Sequence, residues 1–143
     1  MAAADDLDQV IERYHHAADE FFRGNPDPVK DLYFNRDDVA IANPFFPLTR
    51  GREQVVARLE RSVQNFRDGE VGFQNVVKWV SDELVCIVEL EEWKTKVGGR
   101  EDVTPFTLRV TTLFRAEGGD WKVVHRHADP ITTPQPAESV IQE

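Results

Sequence analysis

Near the end of the chain stands Trp121-Lys122-Val123-Val124-His125-Arg126-His127-Ala128-Asp129, the stretch whose side chains offer the most chemistry. Read as a strictly alternating strand, it puts Trp121, Val123, His125 and His127 on one face and Lys122, Val124 and Arg126 on the other. Two imidazoles in line behind two large apolar groups make a pocket wall for a small, partly polar molecule. Asp129 comes two residues after His127, and a carboxylate there can fix an imidazole's tautomer and favour its charged form. His127 and Asp129 are therefore the candidate acid–base pair, with His125 a candidate ligand contact.

Other residues carry a chemical and a plain reading side by side. Tyr14 sits on an apolar helical stripe, so it is either a pocket donor or a core aromatic. Asn43, before Pro44, can orient a ligand carbonyl or cap its own turn. Arg109 and Thr111, both candidate ligand contacts, share one face of a strand, while Phe106, Leu108, Val110, Thr112 and Phe114 share the other. Spacing does not say which face points inward. Arg109 either anchors a ligand oxygen through its planar fork of donors or lies on a solvated or intersubunit face. Glu89 and Glu91 also share a face; paired carboxylates can do acid–base work, yet a solvated face is the simpler reading. Cys86, between Val85 and Ile87, reads as packing. Trp93 is a candidate ligand contact, since pocket volume depends on it together with Phe21, Phe45, Phe46 and Trp79.

Metal and cofactor signals are missing. His15 and His16 are adjacent and point different ways from a helix, and His125 with His127 lacks a third ligand. No HExxH, cysteine-rich or glycine-rich phosphate motif occurs, so neither a metal nor a nucleotide cofactor is expected.

Periodicity supplies the elements that must position these groups. Leu7, Val10, Ile11, Tyr14, Ala18, Phe21 and Phe22 predict a first helix, stopped by Gly24-Asn25-Pro26. A short second helix is expected with Asp27 as N-cap and Pro28 at its first position. Val39 to Ala42 predicts a brief strand, Asn43 to Gly51 a loop, and Arg52 to Phe66 a third helix. The period then changes to two across Val71 to Trp79, Leu84 to Val97, Val103 to Arg115 and Trp121 to Ile131, joined by Ser- and Gly-containing turns. Residues 132–143, with two prolines and no period, predict a loose tail after a single domain spanning 1–131. The fold class is α+β: three helices, then a curved, mostly antiparallel sheet that wraps them. Its strands are apolar on both faces, so the outer face is expected to meet a second copy, giving a homodimer.

Composition narrows the partners. The chain has 143 residues, is 41% hydrophobic and 30% charged, and carries a net charge of −9. Such an acidic surface repels phosphate backbones and anionic lipid, which excludes nucleic acid and membrane as expected partners. One cysteine rules out an internal disulfide. Met1 to Asp6 lacks the basic and apolar regions of a signal peptide, and no apolar run approaches the ~18 residues of a membrane span. A cytoplasmic protein is expected.

Three stretches, taken with the element order, resemble the cone-shaped NTF2-like or SnoaL-like superfamily, which includes ketosteroid isomerases. They are Ile11-Glu12-Arg13-Tyr14, Val39 to Pro44 leading to Arg50-Gly51, and Leu108-Arg109-Val110-Thr111 with the closing Trp121-to-Asp129 strand. The resemblance implies that Tyr14 bonds a substrate oxygen and that Arg109 faces the pocket. It also implies a general-base aspartate where this chain has Asn43, and a protonated aspartate near Thr111 to Leu113, none of which is acidic. Steroid isomerase activity is thereby rejected while the fold is kept. Two readings follow: a pocket domain binding a small hydrophobic or partly polar ligand, or a cofactor-free enzyme. The enzyme would catalyse proton transfer, cyclisation or hydration of a small carbonyl compound through His127 and Asp129.

Overall fold

Leu7, Val10, Tyr14, Ala17, Ala18 and Phe21 recur at three- and four-residue steps, and helix α1 (Ala3–Phe21) buries every one of them. This is the first element of the computed structural model, which describes residues 3–142. Residues 1, 2 and 143, where the start of the expected leaderless segment and the end of the expected tail fall, lie outside the described residues. Gly24, at φ 103°, ends the helix by turning where a side chain would strain. Helix α2 (Asp27–Leu32) follows. Pro26 takes the N-cap position expected for Asp27, and just outside it the Asn25 carboxamide oxygen takes the Asp27 N–H at 3.2 Å.

Strand β1 (Ala40–Asn43) pairs with a second short strand, β2 (Phe46–Arg50), in the segment expected to be a loop. β2 escaped notice because Pro47 breaks a strand pattern; it is tolerated because β2 is a sheet edge. Helix α3 (Arg52–Ser62) stops four residues early and passes through a 3-10 turn, Val63–Asn65. Phe66, expected to close that helix, instead opens β3 (Phe66–Val80), where its ring packs against Phe21 and Phe22. Then come β4 (Leu84–Val97), β5 (Thr104–Glu117) and β6 (Asp120–Asp129).

The sheet runs β2-β1-β6-β5-β4-β3, antiparallel except where β1 lies parallel to β6. Register shifts within β3 and β6 add local twist, and the curved sheet holds α1 against its inner face. Gly69 lets the two meet. A Cβ there would lie 2.7 Å from the Phe22 carbonyl oxygen and 2.9 Å from the Thr95 hydroxyl. The inner face is set by Phe114, Thr112, Val110 and Leu108 on β5 and by Val85, Ile87, Glu89, Glu91, Trp93 and Thr95 on β4, all buried. Arg109 and Thr111 therefore face outward, as do Cys86, Val88 and Leu90. Residues 130–142 are exposed, with one 3-10 turn at Ala137–Val140.

Candidate functional site

One extra residue decides what faces the interior. Phe114 pairs with Val123, and Leu113 pairs with His125, so Val124 is a bulge. Trp121 and Val123 point inward before it; Arg126 and Ala128 point inward after it. The expected face of Trp121, Val123, His125 and His127 is thus broken in the middle. His125 and His127 turn outward and Arg126 takes the inner position. The clue was present in Val123-Val124, two adjacent apolar residues where strict alternation allows one.

Arg126 becomes the centre of a buried polar cluster. Its guanidinium grips Glu91 with two bonds, Nη1 to Oε2 at 2.8 Å and Nη2 to Oε1 at 2.9 Å. Nη1 also donates to the Tyr14 hydroxyl, and Nε donates to the Asn43 side-chain oxygen at 3.3 Å. The Trp93 indole N–H donates to Glu91 at 3.1 Å, and the Tyr14 hydroxyl shares a 2.8 Å hydrogen bond with Thr112. Burial disfavours the Arg126 charge, but the Glu91 carboxylate beside it more than restores the proton's hold. Burial pushes the Tyr14 hydroxyl up to about 12 against the lowering influence of Arg126. It pushes Tyr33 higher still. Both phenols stay neutral donors at any ordinary pH.

This cluster forms the polar end of a cavity enclosed by α1, α2, α3 and the β1–β2 hairpin. The cavity measures about 540 Å³ with its mouth, of which about 40 Å³ is open to the centre of a water molecule. Tyr14, Tyr33, Asn43 and Arg126 face it, Ser62 borders it, and Phe21, Phe22, Phe45, Leu59 and Leu108 make much of the remaining wall apolar. Among the described residues the Ser62 hydroxyl has no partner, and Tyr33 makes no side-chain hydrogen bond.

The expected site residues divide into two groups. Tyr14 and Asn43 line the cavity. Trp93 lies behind it, 1% exposed, stacked on Phe22 and bonded to Glu91. Arg109, Thr111, His125, His127 and Asp129 come together on the outer face instead. There Arg109 donates to Asp129 at 2.6 Å, and His127, with its side chain 54% exposed, lies 3.4 Å from the same carboxylate. Burial pushes the Asp129 carboxyl up, but the Arg109 bond and the Ile131 N–H bring it below its usual range. His125 donates from Nδ1 to the Ala40 carbonyl at 2.9 Å, which ties β6 to β1.

Glu89 and Glu91, read as a solvated face, are 2% and 0% exposed. Their partners come from distant elements: Arg126 for Glu91, and for Glu89 the His15 ring at 2.7 Å, itself stacked on Phe73. Arg126 and Tyr33 are cavity residues that sequence reasoning missed, while Glu91 stands behind Arg126 rather than on the cavity wall. Among the described residues no three His, Cys, Asp or Glu side chains gather as metal ligands, and no helix is long and apolar enough to cross a membrane.

Residues 7–132 match the SnoaL-like domain family. The chain belongs to that family. Solved structures agree on the SnoaL-like, NTF2-like fold. An NTF2-like superfamily protein from Salmonella enterica superposes with a TM-score of 0.78 at 14% identity, covering 94% of each chain. A ketosteroid isomerase-like protein from Erwinia carotovora gives 0.75 at 15% identity, over 92% of this chain and 98% of its own. A provisionally assigned dehydratase of the NTF2-like family from Streptomyces avermitilis gives 0.71 at 18%, over 90% and 96%. Identities this low speak to the fold alone. No curated protein sequence matches this SnoaL-like chain.

Proposed function

We propose that the chain binds a small, largely apolar molecule whose oxygen lodges against Tyr14, Tyr33, Asn43 and Arg126. The observation that carries this reading is a buried cluster of donors at one end of an otherwise apolar cavity. Binding is favoured over proton transfer because no cavity-facing group is free to change its charge near neutral pH. Tyr14 and Tyr33 are held neutral and Arg126 is held charged. The rival reading, an enzyme using His127 oriented by Asp129, would place its chemistry on the outer face rather than in the cavity. A second copy covering that outer face is part of the same proposal, since Trp79, Cys86, Val88, Leu90 and Leu113 leave an apolar band there.

The test is a thermal-shift screen against steroids, aromatic polyketides, terpenoid epoxides and small carboxylic acids. A ligand at a hundredfold over its Kd stabilises by about 2.7 kcal/mol. The upshift should vanish in Asn43→Ala, persist in His127→Ala, and hold level between about pH 5 and 9, because none of the cavity donors titrates there. An upshift that depends on His127, or that follows a group titrating near neutrality, would move the function to the outer face.

A further inference from the structure

We propose that the cavity discriminates by charge, accepting a neutral carbonyl oxygen and refusing a carboxylate, and that the Tyr33 hydroxyl is the donor that reads that oxygen. This rests on the binding reading above and sharpens it to a ligand class.

The argument is a count of donors and charges. A guanidinium has five N–H groups. Four of those on Arg126 are spent, one on Asn43, one on Tyr14 and two on Glu91. The arginine that would ordinarily invite an anion is therefore already neutralised. Its partner charge is fully buried and held on its other side by Trp93. The next carboxylate along β4, Glu89, is buried too and faces His15, so it adds negative potential rather than relief. An incoming carboxylate would leave water for a site whose positive charge is already paired, and the neutral donors left there would not balance its charge.

Neutral donors are what remain. The Tyr14 hydroxyl is occupied by Arg126 and Thr112. Tyr33 is 4% exposed, faces the cavity, and carries a hydroxyl that no protein group engages among the described residues. Asn43 gives its oxygen to Arg126 and keeps its amide N–H groups for a ligand. That hydroxyl opens onto the cavity with no protein partner, so a carbonyl oxygen there meets a free neutral donor.

Acetophenone, benzoate and ethylbenzene share a ring and differ only in the group tested. Their affinities for the full chain can be measured by saturation-transfer NMR. Acetophenone should bind at least about tenfold more tightly than benzoate, and Tyr33→Phe should cost acetophenone about tenfold while leaving ethylbenzene unchanged. The ethylbenzene control also reports whether the variant keeps its cavity. Benzoate binding as well as acetophenone, ethylbenzene binding as well as acetophenone, or a Tyr33→Phe variant that treats the ketone normally would overturn the charge selection and leave the binding cavity standing. If none of the three binds, both readings fall.

Discussion

Arg126 and Glu91 show why a buried charge is a commitment made by two residues at once. Removing one leaves the other desolvated and alone, at a cost of about 3–5 kcal/mol, whereas replacing both with apolar groups is often near neutral. Arg126→Met should therefore lower stability by that amount in urea denaturation, and adding Glu91→Leu should recover most of it. A double variant as unstable as the single one would mean that Tyr14, Asn43 and Trp93 depend on the pair for their own packing. His15 and Glu89 follow similar logic at the opposite flank of α1, with one difference. The second oxygen of Glu89 has no partner, so that pair is less completely satisfied.

Elements were legible where a single period governs them. The first helix and the four long strands can be read from spacing, because one face of each meets the same core throughout. Legibility failed where a residue answers to something outside its own segment. The β1–β2 hairpin is hidden by Pro44, which sits in its turn, and by Pro47, which only an edge strand tolerates. Glu91 reads as solvated until Arg126, 35 residues away, is known to stand opposite. Arg126 itself reads as outward until the Val124 bulge is placed. Tyr14 and Asn43 stand out by residue type and by resemblance, but only tertiary assembly brings them to one cavity. At this scale Gly69 is the sharpest test. Gly69→Ala forces a methyl against the Phe22 carbonyl and the Thr95 hydroxyl, so α1 must move off β3. A loss of about 1–3 kcal/mol, the usual range for overpacking, is expected in thermal or urea unfolding. Wild-type stability in that variant would mean that the helix end yields freely.

For the whole molecule the outer sheet face matters most. Trp79, Cys86 and Leu113 lie in one cross-strand row, and Val77, Val88 and Thr111 lie in the next. A two-fold partner would cover the same patch on both copies, with Arg109, His127 and Asp129 beside it. Sedimentation should give twice the 16.4 kDa chain mass. Val88→Asp, which plants a like charge on both copies, should return the monomer without disturbing the cavity on the other face. A wild-type monomer at micromolar concentration would remove the partner from the proposal. The net charge of −9 sets a further condition, because two such chains repel each other at long range. Assembly by this face should strengthen as salt is added.

The bulge at Val124 also has a meaning in heredity. A strand's side chains alternate with a period of two, so one residue gained or lost reverses every position beyond it until the register recovers. In this chain the bulge absorbs that extra residue, so the guanidinium rather than the pair of imidazoles looks into the cavity. Loss of the Val124 codon would leave a regular strand with Phe114 opposite Val123 and Leu113 opposite His125, and Arg126 would still face the cavity. A bulge in this strand therefore lets the sequence gain or lose one residue while the same side chains go on lining the cavity.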